Sequence, residues 1–162
     1  MLVTHPKPQT DSFVLYIKAM TLLSHVKVFT VRYKGRYYAG DPTMYSANGA
    51  TCNSLDELDP RDTVAFQEID HLVSSFKASF PSHLRDPIHD EMVDPYLYSA
   101  CIASHMAQIR LHEPFADLKD VTCVSVNKVL TAARSIMDLI YKIASTSYDV
   151  SLLDFLPYVS GV

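Results

Sequence analysis

Phe66, Ile69, Val73, Phe76 and Phe80 recur at steps of three, four, three and four residues. A strand places alternate residues on one face, whereas a helix returns to the same face about every 3.6 residues, so only a helix gathers these five on one side. An apolar stripe this regular must be buried against other apolar surface. The stripe is also punctuated. Asp59 followed by Pro60 predicts a helix start, a capping side chain and then a residue whose missing N–H costs nothing at the first helical position. Pro81 predicts the stop.

The same grammar repeats along the chain. Residues 1–11 hold two prolines and read as an extended lead-in, and Asp11 or Ser12 is placed to cap a first helix. Phe13, Ile17, Met20, Leu23 and Val31 predict its buried face, broadened by Val14, Val26 and Val28, and Gly35 its end. Residues Val28 to Tyr38 are the only stretch with some extended character. The interval 36–60 carries Gly40, Pro42, Asn48, Gly49 and Asn53, the chemistry of a long loop, with a short helical turn expected at Asp56 to Leu58. Residues 81–94 read as a second loop. Asp94 and Pro95 repeat the cap-then-proline start, opening a helix that runs to about His112 and is apolar or small on several faces, as expected of the central helix of a bundle. Asp120 is expected to open a fourth helix with a buried stripe of Val126, Val129, Leu130, Ala133, Ile136, Met137, Ile140 and Ile143. Ser151 is expected to begin a fifth element interrupted by Pro157. The fold class expected is all-α, an irregular bundle of about four to five helices over residues 12–162, with the apolar C-terminal end suggesting part of a larger helical domain.

Charge and cysteine content narrow the function. The formal net charge is −4, and no basic run is long enough to neutralise a track of phosphates, so DNA contact is expected only through another domain. The three cysteines, Cys52, Cys101 and Cys123, are too widely spaced for zinc-ligand pairs or a disulfide framework. No signal peptide is evident, and no uninterrupted apolar run approaches the ~18 residues of a membrane span.

Catalytic and metal-binding patterns are weak. His83, Arg85, Asp86, His89, Asp90 and Glu91 form the densest polar cluster, but they fit no spacing that a metal or an acid–base pair requires and read as a solvated loop. His105 and His112 lie two helical turns apart and share a face, too far apart for a two-ligand zinc site, and are expected in the core or at an interface. No nucleophile elbow or phosphate-binding loop is present. No catalytic residue, cofactor or metal ligand is therefore expected. Tyr33, Tyr37, Tyr38 and Tyr45 cluster around the first loop and Tyr96 and Tyr98 open the third helix, where aromatic rings with polar tips suit pockets as well as bundle ends. The candidate ligand or interface residues are Tyr37, Tyr38, Tyr98, Met106, His105 and His112.

Several segments in order resemble the fungal-specific transcription factor domain, the middle homology region of fungal zinc-cluster transcription factors. They are YLYSACIASHMAQIRLHEP at Tyr96 to Pro114, closing on Leu111, His112 and Pro114; LTAARSIMDLI, with Ala132 and Ala133; FQEIDHLVSSFKASFPSHL; and the tail LLDFLPYVSGV. The zinc cluster itself is absent, because three isolated cysteines cannot supply it. The resemblance implies a nuclear, non-enzymatic regulatory module that works through protein partners or self-association, with zinc only in a separate cluster elsewhere in a longer chain and with no membrane partner. An effector-sensing helical domain, with a pocket near Tyr37, Tyr38, Tyr98 and Met106, is the alternative. A metal-dependent hydrolase using His83, His89, Asp90 and Glu91 is a distant third.

Overall fold

A computed structural model describes residues 2–6, 10–40, 60–120 and 122–153, without the side chains of Tyr37 and Pro60. Tyr45, the turn expected at Asp56 to Leu58, Asp59, Pro157 and most of the C-terminal segment lie outside the described residues. The architecture is an all-α bundle: α1 (Ser12–Tyr38), α2 (Val64–Ala78), α3 (Pro95–His112) and α4 (Val124–Ala144), with one two-stranded hairpin, β1 (Ile88–His89) and β2 (Met92–Val93), between α2 and α3.

The central helix is α3, which packs on α1 most extensively and also on α4 and α2. Leu97, Tyr98, Ala100, Cys101, Ala103, Ser104, Ala107, Leu111 and His112 are buried around its circumference, as its apolar composition predicts. Asp94 caps it, its Oδ1 accepting the Leu97 N–H at 3.0 Å, with Pro95 in the first turn. The α2 stripe is buried at Phe66, Val73, Phe76 and Phe80, with Ile69 partly so. Its N-terminus differs from expectation. Pro60–Asp62 form a 3-10 turn, and Thr63 then caps α2 by accepting from the Phe66 N–H at 3.3 Å.

Three further expectations are corrected. The first helix does not stop at Gly35 and has no extended end. The Gly35 carbonyl accepts the Ala39 N–H at 3.1 Å, and Gly40, at φ +69°, takes the left-handed position after the helix. A single interior glycine weakens a helix without breaking it. The buried face of α1 is Leu15, Ala19, Leu22, Leu23, Val26 and Tyr33, with Met20 packed at its edge, so Leu23, Val26 and Met20 lie as expected while Phe13, Ile17, Val28 and Val31 are exposed. Because α1 is apolar on most sides, its spacing admits more than one face, and the fit against α3 selects among them. Finally, α4 begins at Val124 rather than Asp120, whose Oδ1 instead accepts from the Thr122 N–H at 2.8 Å in a local turn.

Ser12–Arg36 is long and apolar enough to cross a membrane by length and composition alone, a property that a core helix shares, and Leu15, Ala19, Leu22, Leu23 and Val26 of this helix are buried in the bundle. The lead-in is anchored as well: Leu2 packs on the core, His5 Nε2 meets Ser79 Oγ at 2.8 Å, and Lys18 Nζ donates to the Thr4 carbonyl at 2.6 Å. Residues 81–94 hold the β-hairpin, whose turn residues Asp90 and Glu91 both have positive φ, 48° and 66°, as in a type I′ turn. At the C-terminal side, Val150–Leu152 form a 3-10 turn capped by Asp149.

Candidate functional site

Two facing pairs organise the interface between α2 and α3. Asp70 and Lys77 lie two turns apart on α2, and His105 and His112 lie two turns apart on α3. The helices run in opposite senses, so Asp70 meets His112 and Lys77 meets His105. His112 Nε2 lies 2.9 Å from Asp70 Oδ1, and Lys77 Nζ lies 2.9 Å from His105 Nε2.

The Asp70 end extends into α4. Lys128 Nζ reaches both Asp70 carboxylate oxygens, at 2.6 and 2.5 Å, and Ser125 Oγ lies 3.1 Å from His112 Nδ1. Burial pushes the His112 pKa down, and this outweighs the opposing pull of Asp70. A neutral ring that donates from Nε2 to Asp70 must accept at Nδ1, so the Ser125 hydroxyl donates to it. Arg61 Nη1 then donates to Ser125 Oγ at 3.4 Å and lies 3.6 Å from Cys123 Sγ. The bonds from Lys128 and His112 hold the Asp70 carboxyl below its ordinary value despite its partial burial.

Asp70, His112 and Ser125 thus form an acid–imidazole–hydroxyl string, the connectivity of a hydrolase triad with the two ring nitrogens exchanged. Ser125 is 0% exposed, and a cleft of about 380 Å³ borders the string, lined by Asp70, His112 and Ser125 together with Arg61, Gln67 and Thr122. The string joins α2, α3 and α4 through one satisfied polar network.

The Lys77 end is different. It borders a cleft of about 500 Å³ lined by Val73, Ser74, Lys77, Ala78, Arg85, Ser104, His105 and Gln108. The pKa of His105 is pushed down to about 4, by burial first and by the Lys77 charge second. The neutral ring therefore accepts the Lys77 N–H.

A third feature lies on α4. Its buried residues are Ser125, Val126, Ala132, Leu139 and Ile143. Of the stripe expected to be buried, Val126 and Ile143 are, and Val129, Ala133 and Ile136 are partly so. Leu130, Met137 and Ile140 are 41%, 46% and 43% exposed, and the adjoining Tyr141 is 67% exposed. The face α4 buries carries the small residues Ser125 and Ala132, which hydropathy alone would not choose, and Ser125 is tied to His112 of α3.

The remaining candidates do not converge. Tyr98 is fully buried in the core, Met106 packs against its edge, and Tyr38 is 79% exposed. The Tyr37 side chain is outside the described residues, so the pocket expected near these four is not formed by the three that are described. His83, His89, Asp90 and Glu91 are all exposed, and among the described residues no three or more His, Cys, Asp or Glu side chains come together as a metal site would require. Sequence reasoning missed Asp70, Ser125, Lys128 and Arg61. The available signal was Asp70, a carboxylate set between Ile69 and Val73 on the edge of the most regular apolar stripe, where a charge needs a partner. The chain matches no known family model, no curated protein and no solved structure.

Proposed function

We propose that the chain is a regulatory interaction module of a transcription factor of the fungal zinc-cluster kind, acting in the nucleus through protein contact and leaving DNA to another domain. The observation that supports this most is the outer face of α4. Leu130, Met137, Ile140 and Tyr141 present apolar surface at helical spacing, while a different face of the same helix already packs on α3. Such a surface suits a partner helix with a complementary apolar stripe. The resemblance at Tyr96 to Pro114 and at Leu130 to Ile140 supports the family half of the proposal. On this reading the Asp70–His112–Ser125 string is a clamp between helices, since Ser125 is buried and its hydroxyl is spent on His112.

The test is a reporter assay with the chain fused to a zinc-cluster DNA-binding domain and an activating segment. The wild-type chain should change reporter output, and Ile140→Glu combined with Leu130→Glu should abolish that change while circular dichroism and Tm stay unchanged. Equal output from the folded variant and the wild type would defeat the proposal.

A further inference from the structure

The two ends of the α2–α3 interface carry related polar pairs, but only one of them is closed by an acid. At one end the Asp70 carboxylate binds both His112 and Lys128. At the other, Lys77 Nζ donates to the neutral His105 ring at 2.9 Å, and no carboxylate among the described residues pairs with Lys77. Arg85, on the same cleft, spends its Nε–H on the Phe80 carbonyl at 3.2 Å and likewise has no acidic partner there. Neighbouring acids are engaged elsewhere. Asp86 pairs with Lys142 at 3.7 Å and accepts the Ile88 N–H at 3.1 Å, and Asp70 is saturated.

The cleft these cations line has about 500 Å³ and, among the described residues, no Asp or Glu in its lining, a size that suits a small molecule. His105 and Gln108 complete the wall with imidazole and carboxamide groups, while the Ser74 and Ser104 hydroxyls donate to Asp70 Oδ1 and to the Cys101 carbonyl. A guanidinium and an ammonium that line one cleft, with no acid ion-paired to either among the described residues, form a receptor for an oxyanion, because charge-assisted hydrogen bonds are the strongest polar contacts available there. We propose that this cleft binds a small molecule through a carboxylate or phosphate group, with Lys77 and Arg85 supplying the counter-charge and Gln108 an additional donor. The bound oxyanion would play the part at Lys77 that Asp70 plays at Lys128, while His105 Nε2 continues to accept from Lys77. The site is made by α2, α3 and the segment after α2, and does not depend on the outer face of α4.

The test is a titration of the isotopically labelled chain, followed by amide chemical shifts, with inorganic phosphate and with succinate as probes and succinamide as the uncharged control. Saturable shifts are expected at Ser74, Lys77, Ser104, His105 and Gln108 with at least one of the anions and not with succinamide. The tighter of the two anions identifies the head group. Lys77→Met and Arg85→Met should each weaken binding roughly ten- to a hundredfold, the range for loss of a charged hydrogen bond. Arg85 is exposed, so its variant should remain folded even if Lys77→Met does not. Three results would overturn the proposal: no saturable shift at millimolar probe, shifts confined to other surfaces or matched by succinamide, or affinity unchanged in Arg85→Met.

Discussion

Asp70 is the residue whose loss should be felt most widely, since it serves α3 through His112 and α4 through Lys128. Asp70→Ala leaves the buried imidazole N–H of His112 without a partner, and should cost about 1–3 kcal/mol in urea unfolding. Lys128→Met removes only the partly solvated cation and should cost under about 1 kcal/mol. Equal losses from the two changes would show that the contact to His112 is not what stabilises this end of the interface. His105 supplies a prediction in pH. Its pKa is pushed from 6.5 to about 4 in the folded chain. Below pH 6.5 the unfolded chain therefore takes up a proton that the folded chain refuses. The stability present above that pH is lost as the pH falls towards 4. Burial lowers the pKa values of His112 and His5 as well, so His105→Gln should flatten the dependence of Tm on pH between 6.5 and 4 without abolishing it. An unaltered slope in that variant would contradict a neutral, buried His105.

At the scale of the helices, α4 offers the sharpest contrast. Ala132 is buried and Ile140 is exposed. Ala132→Leu should overpack the contact and cost about 1–3 kcal/mol, whereas Ile140→Gln should change stability by no more than about 0.5 kcal/mol. Thermal melts of the two variants would decide which face is buried, and the reverse order of effects would restore the hydropathic stripe to the core. In α1, Gly35 lies inside the helix with nothing within 4 Å of the position an added Cβ would take. Gly35→Ala should therefore raise stability by about 0.5–1 kcal/mol, and a loss of stability would show that the helix does end at Gly35. These two helices also mark how far the sequence was legible. The starts and stops written in proline and aspartate, at Asp94, Pro95 and Pro114, were readable because capping is local chemistry. So was the α2 stripe, because its spacing permits only one face. The orientations of α1 and α4 were not, because each carries apolar residues on more sides than it buries. The choice between sides depends on which of them fits against α3, the helix both pack on. The polar network was hidden for a related reason. Asp70, His112 and Ser125 are far apart in the chain, and only the antiparallel register of α2 and α3, with α4 laid across them, brings them together.

For the molecule as a whole, α3 is the hub against which α1, α2 and α4 are each placed. That arrangement leaves the outer side of α4 and the cleft between α2 and α3 as separate surfaces. The formal net charge of −4 bears on what either can bind. The two proposed occupants, a protein helix on α4 and a small anion at Lys77 and Arg85, each need little positive charge, but a duplex requires many phosphates neutralised along a continuous track. The proposal that the chain works through protein contact and leaves DNA to another domain is checked by titrating the isolated chain with duplex DNA over a range of salt concentrations. No saturable binding is expected even at low salt. Tight binding whose affinity falls steeply as salt rises would contradict it.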